Sequence, residues 1–72
     1  MEKTNSWFDT ITLDNQEYGI IIHEFNGVYN AYIDDGETIR FMFGLPTADH
    51  TPESAMQLAI ANAQDYFGRF TE

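Results

Sequence analysis

The chain contains no cysteine, and only three Lys or Arg residues stand among its 72. Without cysteine there is no disulfide to staple a small domain and no Cys-based zinc site, which fits a reducing compartment and a cytoplasmic protein. No apolar run approaches the eighteen or so residues that a membrane-spanning helix needs. The opening residues Met1-Glu2-Lys3-Thr4-Asn5-Ser6 lack an apolar signal core, so secretion by that route is not expected. Basic stripes and phosphate-cradling glycine loops are also missing, which argues against nucleic acid and nucleotides as direct ligands. Catalytic chemistry is equally scarce. Serine occurs only at 6 and 54 and histidine only at 23 and 50, and nothing in their spacing assembles a nucleophile, a base and an orienting acid. Asp34-Asp35-Gly36-Glu37 lacks the alternating ligands and distal Glu of a calcium loop. The expectation is a protein that is not an enzyme and uses no metal and no cofactor.

What is abundant is acid. Twelve Asp and Glu give a net charge of −9, and Arg40 is the single cation between Thr4 and Tyr66. A small domain with this charge repels itself, so the acid serves either solubility or the binding of something basic. Anionic lipid and free nucleic acid would be repelled. One Trp, four Tyr and six Phe are too many for a solvated disordered chain. We expect one domain over residues 1–72, with 1–5 unstructured. A chain of this length buries only about 60–65% of its unfolded surface, so its core is small.

The sharpest local signal is Asn26-Gly27 between the β-branched and aromatic runs 18–25 and 28–33. It predicts a two-residue type I′ hairpin, since both positions take positive φ. That turn pairs Phe25 with Val28, His23 with Asn30, Ile22 with Ala31 and Ile20 with Ile33. One face then carries Ile20, Ile22, Tyr29, Ala31 and Ile33, with small Ala31 leaving room for a helix. Further strands are expected at 6–13 and 37–43. A three-residue loop with left-handed Gly36 would set Ile39 against Ala31 and Phe41 against Tyr29. Thr51 as N-cap, Pro52 in the first helical position and Glu53 near the positive end of the dipole open a helix over 52–67. Ala55, Met56, Ala59, Ile60, Ala63, Tyr66 and Phe67 share its apolar face, and Leu58 lies outside the stripe. The fold class is α+β: a four-stranded antiparallel meander followed by one C-terminal helix packed on one sheet face.

Alternate turns of a meander lie at the same end of the sheet. Asp14, Glu17, Asp34, Asp35 and Glu37 therefore converge on one edge, the candidate partner-binding site. Such crowding is expected to raise carboxylate pKa values and let mild acid stabilise the fold. A second surface is the sheet face away from the helix. There Ile21, His23, Phe25, Val28, Tyr32 and Met42, with Asn30 and Arg40 among them, form a candidate interface, unless Trp7 and Phe8 fold across it.

The stretch Gly27-Val28-Tyr29-Asn30-Ala31-Tyr32-Ile33, with Thr51-Pro52-Glu53-Ser54-Ala55, resembles small phage-encoded acidic βα proteins, among them anti-CRISPR inhibitors. It is also similar to the N-terminal half of HicB-type antitoxins, although Gly44-Leu45-Pro46 stands where those have a Pro-Gly step. The first resemblance implies a non-enzymatic inhibitor in a bacterial or phage-infected cell. Acting as a nucleic-acid mimic, it would block the basic groove of a defence nuclease or CRISPR complex. The second implies an antitoxin-like partner of a basic toxin. A third reading is a homodimeric module joined through the outer sheet face, which needs no charge partner.

Overall fold

In the computed structural model, residues 5–68 are described, with side chains to residue 65. Four strands, β1 (Asn5–Leu13), β2 (Gln16–Phe25), β3 (Val28–Asp34) and β4 (Ile39–Pro46), precede one helix, α1 (Pro52–Gly68). They form a single antiparallel sheet in the order β1-β2-β3-β4. This is an α+β meander with a C-terminal helix on one face. Of the residues expected to be unstructured, 1–4 lie outside the described residues, and Asn5 opens β1.

The central hairpin follows from Asn26 and Gly27, at φ 53° and 75°, the left-handed pair that a type I′ turn requires. The pairing runs from Phe25↔Val28 to Ile20↔Ile33 with no slip. The β1–β2 turn is of the same kind. Leu13 pairs with Gln16, and Asp14 and Asn15 take φ 52° and 66°. Asp and Asn tolerate the left-handed region better than other non-glycine residues.

The third connection departs from the expected register. Asp34 pairs with Ile39 and Tyr32 with Phe41, and after a bulge Ala31 pairs with Phe43 and Tyr29 with Leu45. The loop is therefore four residues long, and Ile39 and Phe41 face away from the core, each 59% exposed. Two carboxylates explain the loop. Asp34 Oδ1 accepts from the Gly36 amide at 2.8 Å, and Asp35 Oδ1 accepts from the amides of Glu37 and Thr38 at 2.9 and 2.8 Å. These local bonds hold a wider turn than a left-handed glycine alone would give. The bulge then restores the pattern by turning Phe43 and Leu45 toward the core. Met42, expected on the outer face, packs against the core cluster instead. Arg40 pairs with Ile33 and does not join the outer-face residues.

The core is thin. Ile20, Ile22, Tyr29, Ala31 and Ile33 from the sheet meet Ala55, Ala59 and Ala63 from α1. Spacing of i, i+4 and i+8 puts the three alanines on one stripe, and their small side chains let the helix lie close over β1, β2 and β3. Trp7, Ile11, Met56 and Ile60 close the margin, with the Trp7 and Tyr29 rings edge to face at 5.9 Å. The helix starts where its capping residues place it. The Ser54 amide donates to Thr51 Oγ1 at 3.1 Å, and the Thr51 amide donates back to Ser54 Oγ at 3.0 Å, a reciprocal cap. The expected contribution of Tyr66 and Phe67 lies outside the described side chains.

Candidate functional site: an acidic edge and an apolar outer face

Both the β1–β2 turn and the β3–β4 loop sit at the end of the sheet opposite Asn26-Gly27. They touch directly, because the Gln16 side-chain amide donates to the Asp35 carbonyl at 3.4 Å. This brings Asp14, Glu17, Asp34, Asp35 and Glu37 to one edge from segments about twenty residues apart. Their environments differ. Asp34 and Asp35 spend one oxygen each on loop amides, whereas Glu17 and Glu37 are exposed and free of backbone duty.

The carboxyl of Asp35 is held below its ordinary pKa, chiefly by the Thr38 and Glu37 amides and also by the charge of Arg40. Crowding does not raise it. Two short N–H···O bonds to the charged form outweigh the desolvation that opposes them. At Asp35 the carboxyl is lowered, where a pKa raised by mutual repulsion was expected.

The outer sheet face carries Ile21, His23, Phe25, Val28 and Tyr32 from the central hairpin. Phe8 joins them from β1 at 65% exposure, and Phe41 and Ile39 join from β4. His23 stacks on Phe25 at 6.2 Å, and Tyr32 meets Phe41 edge to face at 5.6 Å. Trp7 and Phe8 do not fold across this face. Pairing of Trp7 with Ile22 and Phe8 with Ile21 makes them neighbours in an edge strand, so their side chains take opposite faces. The Phe8 ring lies over Gly19, where an added Cβ would meet it at 2.9 Å. Sequence reading missed Phe8, Ile39 and Phe41 as outer-face residues. The strand alternation in 6–13 could have found Phe8, but the loop and bulge hid the other two.

One pairing with catalytic overtones appears. His50 Nδ1 lies 3.3 Å from Ser54 Oγ. Ser54 Oγ is engaged by the helix cap, within 3.1 Å of the Thr51 carbonyl and accepting from the Thr51 amide at 3.0 Å. The contact belongs to the helix cap. Among the described residues, no three His, Cys, Asp or Glu are placed to hold a metal ion, and no helix is long and apolar enough to cross a membrane. No family model, curated protein or solved structure matches this chain.

Proposed function

We propose that this protein is a non-enzymatic acidic inhibitor. In this reading its carboxylate edge occupies the basic nucleic-acid groove of a partner, in the manner of the phage anti-CRISPR proteins it resembles. The observation that carries the reading is the joined pair of acidic turns, tied by the Gln16–Asp35 hydrogen bond in a chain of net charge −9. A row of carboxylates presents negative charge much as a phosphate backbone does, and steers a basic surface toward it. The partner is a basic, nucleic-acid-binding protein in the cytoplasm of a bacterial or infected cell. Direct nucleic-acid binding is not part of the mechanism.

The test is charge reversal at positions that leave the turns intact. Asp34 and Asp35 brace their loop, so Glu17→Lys with Glu37→Lys is the better pair. It should weaken partner binding by about tenfold or more and flatten its salt dependence. Unchanged affinity in the reversed protein refutes the reading. A HicB-like antitoxin role would use the same edge against a basic toxin, and the nature of the captured partner separates the two.

A second reading rests on the outer face, where Phe8, Ile39 and Phe41 are 65%, 59% and 59% exposed. Apolar surface of this kind marks contact surfaces, and two copies pairing there would bury it. Sedimentation then shows twice the monomer mass, and Phe41→Asp returns it to monomer. A monomeric wild type at high micromolar concentration removes the homodimer.

A further inference from the structure

The two margins of the sheet are built differently. β4 carries a register shift opposite Ala31 and Tyr32 and ends at Gly44-Leu45-Pro46. Bulges and prolines are devices that stop edge-to-edge pairing. β1 has none of them. It pairs with β2 over nine residues without interruption, and Asp9 is its single charge. Among the described residues nothing pairs with its outer edge.

Beside that edge a groove of about 430 Å³ opens between β1 and the start of α1. Trp7, Met56 and Ile60 supply an apolar floor that is firm because each packs on the core. Asp9 and Glu53 stand at its rim, both exposed. Asp9 Oδ1 accepts from the Thr10 amide at 2.8 Å, an amide on the outer edge of β1, so a strand that takes this amide displaces the carboxylate and leaves it to the incoming cation. The single described Lys or Arg, Arg40, lies in β4 at the far margin of the sheet, so neither carboxylate has an internal lysine or arginine partner among the described residues. An aliphatic stem with a cationic head suits this lining: the stem lies on the apolar floor and the head meets the aromatic ring and the carboxylates. A second copy of the chain is a poor occupant, since it carries three cations and a net charge of −9 itself.

We propose that the free edge of β1 accepts an extended basic segment of a protein partner as a fifth strand, with one of its Arg or Lys side chains seated in the groove between Trp7 and Asp9 of β1 and Glu53 and Met56 of α1. Main-chain bonds to β1 supply the affinity, and the groove selects the cation at one alternate position. This contact is distinct from the acidic edge and rests on the inhibitor reading only in taking the partner to be basic.

A short synthetic peptide of alternating Arg and Val is the probe, at physiological salt. Trp7 is the only tryptophan, so its emission reports the groove directly and should shift on binding. Asp9→Asn with Glu53→Gln, both exposed and conservative, should weaken the peptide by about tenfold, while Glu17→Gln with Glu37→Gln should change it by less than about twofold. Methylating alternate backbone amides of the peptide should abolish binding by removing strand addition. The proposal is overturned if the peptide does not bind or if Trp7 emission is unchanged at saturation. Equal weakening by both double variants, or full-strength binding of the methylated peptide, overturns it too, because general charge attraction then suffices. The acidic-edge reading is unaffected by any of these results, since its own test uses the partner protein and the reversal at Glu17 and Glu37.

Discussion

Asp35 carries more of the β3–β4 loop than any other residue there. One of its oxygens accepts two backbone amides, and its own amide donates to the Thr38 carbonyl at 3.2 Å. Because its carboxyl sits below the ordinary value in the fold, it binds a proton less readily folded than unfolded. Its contribution to stability is therefore present above the unfolded carboxylate value and is lost as pH falls through that value toward the lower folded one. The check is a pair of melting series on wild type and Asp35→Asn. The advantage of wild type at neutral pH should shrink steadily below about pH 4. A difference that stays constant or grows with acid would mean that the carboxyl is not depressed. Asn15, at φ 66°, offers a second residue-scale test. Asn15→Gly should raise stability by a few tenths of a kcal/mol, about 1–3 °C in Tm, since glycine meets the left-handed geometry without a Cβ.

At the scale of elements, α1 and the sheet meet through alanines. Ala59 is fully buried, so Ala59→Leu must push the helix off the sheet or distort rotamers. We expect a loss of about 1–3 kcal/mol, read as a fall in Tm of roughly 5–20 °C. Leu58→Ala, one residue along but 40% exposed, should cost under about 1 kcal/mol. Equal losses at both sites would contradict the alanine stripe as the packing seam. This stripe, Thr51 as N-cap and the Asn26-Gly27 register were all legible in the sequence, because each rests on one strong local rule; the return bond from the Thr51 amide to Ser54 Oγ was not read there. The third hairpin was not. The run Glu37-Thr38-Ile39-Arg40-Phe41-Met42-Phe43 alternates plausibly in either register, and only the Asp34 and Asp35 hydrogen bonds decide the loop length. The bulge then swaps the parity, sending Phe41 outward and Phe43 inward, a change that period-two patterning cannot register. The acidic edge survives that error because turns keep their end of the sheet whatever the register. The outer face does not survive it intact: Met42 leaves, and Phe8, Ile39 and Phe41 enter.

For the whole molecule, a net charge of −9 on a slab of 42 × 23 × 15 Å bears on stability and, in the proposed reading, on the choice of partner. Like charges at this density oppose compaction and are screened by salt, so Tm should rise by several degrees between low and moderate sodium chloride. A Tm independent of salt would mean that the charges are already neutralised within the fold. The same field attracts basic surfaces and repels phosphates, and on it rests the claim that the acidic edge substitutes for nucleic acid. The most direct measurement of that claim is competition on the isolated basic partner. The protein is immobilised, its partner is loaded, and the partner's own nucleic acid is titrated in. The account predicts mutually exclusive occupancy, with nucleic acid releasing the partner and the Glu17→Lys, Glu37→Lys protein giving it up at lower concentration. A ternary complex in which the partner holds nucleic acid and this protein together at full affinity would contradict it.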